Sequence, residues 1–379
     1  MSSTSARAAD VAFVGCVALG LLFLVAFGAL DERTKLLHAN DFSGIWAGAR
    51  ALVLGIEPYD PAGWRAAVAN IGTQPPDTEV YGYPAWIAIA FVPLALLPLE
   101  IASWTWTLGT LLLAIIATRA LLRGLIPASP LAHGLVALTL TMSTPAYHTF
   151  VLGQWGFALI AALAVGVLAI RGHRDALAAT VLLACLAKPQ LFVTAPFGLL
   201  ATRRAILIWG GLAAAIVGLA TLLLWNWWTA WLGAVPAVRL GQPASLYALL
   251  TDVIGPPGVV IAAGLAIAGA VVATRFARGS DASRAAWLSL SFAVAPYEWA
   301  YDHVVLLVPI VIAAGVVAAR SRMTALVILA IGCGLLLYVS LGLYVIAVTR
   351  HRETLSAVVP AATFVLIAVA LWPDRRGNQ

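Results

Sequence analysis

Charge is scarce in this sequence. Asp, Glu, Lys and Arg make up 10% of its 379 residues, against 62% hydrophobic ones. A soluble domain is about a quarter charged, so a chain this poor in charge cannot cover a water-facing surface. Cysteine is scarce as well. Cys16, Cys185 and Cys333 all sit in apolar runs and none forms a CxxC pair. They read as small packing residues, and neither a disulfide nor a zinc site is expected. No soluble nucleotide-binding domain interrupts the chain, and no repeat of the whole chain is visible. The net charge of +6 comes from Arg in short loops, as the positive-inside rule produces, so it does not point to nucleic acid.

Long apolar runs are what the chain has instead. Val11–Leu30, Ile206–Leu224 and Met323–Val348 each reach or approach the roughly 20 apolar residues that cross a bilayer core. They do not alternate in polarity, which disfavours a β-barrel. The fold class expected is all-α and polytopic, one membrane domain over 1–379 with about 11–13 membrane helices. Segments fall near 11–30, 84–99, 101–122, 131–147, 155–170, 176–188, 190–202, 204–225, 257–275, 284–300, 303–319, 324–348 and 355–372. The first, followed by Asp31, Glu32 and Arg33 without a small-residue cleavage site, reads as a retained signal anchor. Arg119 and Arg123, Arg171 and Arg174, Arg203 and Arg204, Arg275, Arg278 and Arg284, Arg320 and Arg322, and Arg375 and Arg376 are assigned to the cytoplasm. Arg350 and Arg352 break that pattern. The loop 31–83 carries seven acidic and four basic residues and suits the opposite side. Two stretches, 84–122 and 176–202, do not alternate sides cleanly. A re-entrant break is expected at 188–189, where Lys188-Pro189 interrupts the helix. Residues 226–256 read as an outer loop opened by Trp225, Trp227, Trp228 and Trp231, an interfacial anchor or a rim for a lipid or sugar acceptor. The C-terminal membrane helices span 257–372.

A few polar residues stand out against this background. Asp41 lies about ten residues past the first apolar run, near the outer interface. Asn40 or Asp41 suits a cap for a helix from Phe42, with Phe42, Ile45, Trp46 and Ala49 on one face; the other role for Asp41 is a catalytic base. Tyr83 precedes Pro84 at a membrane boundary, where Tyr is an ordinary anchor. Gln154 lies in the turn Gly153-Gln154-Trp155, placed to satisfy backbone groups or to donate to a phosphate or sugar. Lys188 sits inside an apolar stretch, an expensive position that points to function, most simply to a lipid phosphate; snorkelling is the bland alternative. Tyr297, Glu298, Asp302 and His303 cluster between apolar runs. On a continuous helix Glu298 and Asp302 share a face and repel unless a cation, a proton or sugar hydroxyls lie between them. The bland reading is a polar interfacial loop, and the spacing is not a metal signature.

Taken in order, the acidic Asp41 loop ending at Gly55–Tyr59, Tyr83-Pro84 with Pro93 and Pro98, Gly153-Gln154, Ala187-Lys188-Pro189 and Pro296–His303 resemble glycosyltransferase family 87. These proteins are related to polyprenol-phosphate-mannose-dependent mannosyltransferases. The resemblance covers roughly 11–320. It implies a GT-C-like bundle with a helical first outer loop, and an inverting transfer of a sugar, mannose first, on the extracytoplasmic face. The implied donor is a polyprenyl-phosphate sugar and the acceptor a lipid or glycan, in contact with membrane lipids. No cofactor is expected, and the chemistry requires no metal. The family's base maps onto Asp41. Lys188, His303 and Gln154 become partners of the donor phosphate; Tyr83, Tyr297, Glu298 and Asp302 become sugar or acceptor contacts. Asp302 replaces the first His of the family's paired histidines, which loosens any assignment of the sugar. A transporter or flippase would instead carry matched polar positions in two halves, which this sequence lacks. A non-catalytic anchoring protein would show no dependence on Asp41.

Overall fold

The computed structural model describes residues 3–73, 80–200, 202–234 and 243–372. Asp77 and Glu79 of the first loop, part of the Trp-rich loop after Ala234, and Arg375 and Arg376 lie outside the described residues. Every regular element among the described residues is helical. Among the described residues, five helices are long and apolar enough to cross a membrane, or six if a bent pair, Pro130–Met142 with Thr144–Leu152, is one span. Five shorter apolar helices of 10–17 residues accompany them. The 11–13 membrane helices read from the sequence thus divide between full-length spans and shorter pieces. Hydropathy registers apolar length, but proline and local polar bonds cut several of these runs into pieces. Ala85–Ala95 contains Pro93 and ends before Pro98; at 1.5 Å per residue it reaches only about 16 Å. The first run divides at Gly28, whose φ of +72° suits a residue without Cβ. Ser3–Ala26 lies before the break and Ala29–Lys35 after it.

The helices sort by what surrounds them. Of the five long helices, Ala300–Ala318 is the most buried, at 72%, and Arg203–Leu223 the least, at 11%. The latter exposes Leu207, Leu219, Leu222 and Leu223, an apolar surface that water would penalise by about 25 cal/mol per Å² and that lipid does not. Ser3–Ala26 packs most extensively on Pro130–Met142, and Leu99–Leu125 on Gly156–Arg171. Asp10 near the chain start pairs with Arg119 and Arg123, which pins that end of the first helix to the basic end of Leu99–Leu125. A second, aromatic core joins Tyr59, Trp64, Tyr81 and Trp227 beside Ala47, Ala85 and Ala88.

The stretch around Lys188 is broken. Asp175–Val181 is α-helical, then Leu182–Ala187 and Pro189–Phe192 are 3₁₀ turns. Lys188 itself has φ −136° and ψ 68°, because a residue before proline is driven out of the α region. Backbone groups freed by the break are satisfied inside the protein. Trp86 Nε1 donates to the Leu186 carbonyl at 3.0 Å. The Thr194 and Ala195 amides donate to Ser291 Oγ at 3.0 and 3.3 Å. Irregular backbone among apolar helices persists only with such partners.

Candidate active site

The helix Asp41–Val53 is capped by Asn40, whose side chain accepts from the Ser43 amide at 2.9 Å. Of the two caps the sequence offered, Asn40 takes the role, and the Asp41 carboxylate is left free for other partners. Its place in the first turn suits an acid, since the helix dipole is positive there. The helix is held against Ala85–Ala95 by its own side chains. Trp46 Nε1 donates to the Leu94 and Leu97 carbonyls, both at 3.3 Å, and Arg50 to that of Ala95 at 3.2 Å.

Asp41 meets Gln154 across this packing. Gln154 Nε2 donates to Asp41 Oδ2 at 2.6 Å and to Tyr301 Oη at 3.2 Å. Gln154 reaches this position because Thr144–Leu152 ends at Gly153, whose φ of +67° turns the chain. Burial pushes the Asp41 carboxyl above its usual range, and the Gln154 hydrogen bond and the Lys188 charge oppose that rise. Tyr83 lies within electrostatic reach of Asp41 and interacts with the Gln154 side chain; burial first, and then Asp41, hold its phenol well above its ordinary value. Tyr297 is raised in the same way, by burial first and then by Asp302 and Asp41, while its hydroxyl accepts from Trp299 Nε1 at 2.6 Å. Both phenols are therefore neutral donors at physiological pH.

Lys188 is 5% exposed and Asp302 1%. Lys188 Nζ donates to Asp302 Oδ1 at 2.6 Å and stands 4.6 Å from the centre of the Tyr301 ring. Snorkelling does not describe this lysine; a desolvated ion pair with a cation–π contact does. The other Asp302 oxygen accepts from the Trp299 amide at 3.2 Å, capping the turn that starts at Ala300. Glu298 precedes that turn, so Glu298 and Asp302 do not share a helix face as a continuous helix would have it. Proline at 296 and the Asp302 cap end the regularity between them. Glu298 instead lies 3.6 Å from His303 Nε2, and both side chains are fully buried. Among the described residues, neither the two Glu298 oxygens nor the two His303 ring nitrogens have a hydrogen-bond partner. Burial, and then the neighbouring Asp302, push the Glu298 carboxyl well above its usual range.

The fold thus brings Asp41, Tyr83, Gln154, Lys188, Tyr297 and Asp302 into one polar cluster, with Glu298 and His303 sealed against it. Two further members were not singled out from the sequence. Tyr301 touches both Gln154 and Lys188; its place beside Asp302 was its only signal. Glu353 accepts from the Ala300 amide at 3.0 Å and feels the charges of Asp302 and Asp41. It is an acid in the linker between two C-terminal helices, and no local pattern marks it.

The family model described as glycosyltransferase family 87 matches residues 81–297, more than half of the chain. No curated protein and no solved structure matches it.

Proposed function

The chain belongs to glycosyltransferase family 87, and from that premise we propose that it moves a sugar, mannose first, from a polyprenyl-phosphate donor to a hydroxyl of a lipid or glycan acceptor, with Asp41 as the base. The observation that carries this reading is the Gln154–Asp41 hydrogen bond in one cluster with the Lys188–Asp302 pair. A carboxylate raised by burial removes a proton from the acceptor hydroxyl more readily than an ordinary one. The acceptor oxygen then bonds to the anomeric carbon as the bond from that carbon to the phosphate oxygen breaks. The electron pair leaves on the phosphate, the proton stays on Asp41, and attack opposite the leaving group inverts the centre. An ammonium has three N–H donors. Asp302 takes one from Lys188, and the others are assigned to the developing phosphate charge. Gln154 is assigned beside it, with Tyr83, Tyr297 and Asp302 on sugar or acceptor hydroxyls. Glu298 is assigned to the sugar and His303 to the phosphate. Both are sealed here, so these two contacts require the Pro296–Tyr301 turn to shift when the donor binds.

The extracytoplasmic placement is supported by the first helix. Its starting end is tied to Arg119 and Arg123 through Asp10, and the opposite end leads to Asp41. The test is transfer from polyprenyl-phosphate sugars in membranes. Asp41→Asn is expected to lose about 10²–10⁴-fold at normal protein level, and a variant that keeps wild-type turnover removes Asp41 as the base.

A further inference from the structure

Arg33 is 1% exposed, yet it makes no ion pair among the described residues. Its guanidinium donates to oxygens of two other helices. Nη1 reaches the Phe150 carbonyl and, at 3.1 Å, that of Val151. Nη2 reaches the Ser103 carbonyl at 3.0 Å and the Ser103 hydroxyl. The plate lies over Trp104 at 5.0 Å and Phe150 at 5.7 Å. A buried cation without such partners is strongly disfavoured, and the carbonyls of a helix C-terminus carry the partial negative charge that suits it. Arg33 therefore closes the last turn of Thr144–Leu152.

Gly153-Gln154 comes directly after that last turn. A Cβ on Gly153 would lie 2.7 Å from Phe42 Cβ and 3.4 Å from Arg33 Nη2. The Gly153 carbonyl accepts from Trp106 Nε1 at 3.0 Å. Phe42 is the chain neighbour of Asp41, and Gly153 that of Gln154. The guanidinium thus packs against the residue that carries one partner of the Gln154–Asp41 bond, and that residue packs against the carrier of the other.

We propose that Arg33 is a positioning residue, which fixes the Gly153-Gln154 turn so that the Gln154 amide stays on the Asp41 carboxylate; this rests on the reading of Asp41 as the base. Arg33 does not touch the reacting atoms. Its fork holds four acceptor oxygens on three residues in fixed directions, which a lysine ammonium cannot reproduce.

A double-mutant cycle on the full-length protein in membranes tests this, with turnover per protein and the pH profile of kcat/KM as readouts. Arg33→Lys and Gln154→Ala are each expected to lower kcat about tenfold, the scale of one lost aligned hydrogen bond. Each is also expected to move the acidic limb of the profile upward, because the bond lost is one that lowers the Asp41 pKa. The double variant is expected to be no slower than the slower single one. Losses that multiply, or an Arg33→Lys enzyme with an unmoved acidic limb, would overturn the proposal. If Arg33→Lys does not accumulate, Ser103→Ala removes one acceptor of the fork. Its smaller loss is expected to vanish in the Gln154→Ala background, and an equal loss in both backgrounds would also overturn the proposal. Asp41→Asn, assayed alongside, separates the two readings. If it keeps transfer while the Arg33 and Gln154 losses fail to multiply, the base assignment falls and the clamp stands.

Discussion

Burial raises the Asp41 carboxyl, while the Gln154 amide and the Lys188 ammonium pull it back. Only the deprotonated carboxylate accepts a proton, so kcat/KM falls as pH drops through the raised value. The midpoint of that limb is expected above about 4, where an unperturbed Asp titrates. A kcat/KM profile measured between pH 4 and 9 checks this, and a midpoint at or below the ordinary value would contradict it. The residues of the cluster were legible one at a time, because each is a polar group where an apolar one is expected. Their pairings were not. Asp302 sits 114 positions from Lys188 and Gln154 113 from Asp41, and no local periodicity encodes contacts at such separations. The carboxylate pair read as Glu298 with Asp302 is the clearest case, since Asp302 pairs with Lys188 and Glu298 lies against His303.

Two elements make the cluster possible, a broken helix and a glycine turn. Lys188→Met leaves Asp302 buried without its partner, at a cost of about 3–5 kcal/mol. Thermal unfolding of the detergent-purified protein should show this as a lowered Tm, together with a raised KM for the donor. Adding Asp302→Leu to it should recover part of the stability without recovering the KM. An unchanged donor KM in Lys188→Met would remove the lysine from phosphate binding. Gly153→Ala meets both a positive φ and the Phe42 side chain. It should cost about 1–3 kcal/mol and lower turnover by moving Gln154, as a membrane transfer assay with protein-level normalisation would show. Proline and glycine announced these breaks in the sequence. The 3₁₀ turns around Lys188 could not be read from composition, because they depend on acceptors and donors brought by Trp86 and Ser291.

For the molecule as a whole, hydropathy identified an all-helical membrane protein but did not separate its full-length spans from its shorter apolar helices. An apolar helix buried among helices and one facing lipid have the same composition, and only packing distinguishes them: Ala300–Ala318 from Arg203–Leu223. Sidedness is open to a direct measurement. In a background with the three native cysteines replaced, Glu57→Cys should react with a membrane-impermeant maleimide on intact cells. Arg174→Cys should react only after permeabilisation. Both positions are exposed, so the reverse pattern would invert the proposed orientation. The cluster also joins distant parts of the chain: Asp41 comes before the family-matched stretch 81–297, and Glu353 after it. A nascent chain emerging from the ribosome therefore inserts its carboxylate early and leaves the Ala300 amide uncapped until Glu353 has followed. Until then, a membrane full of partly made copies holds no completed cluster.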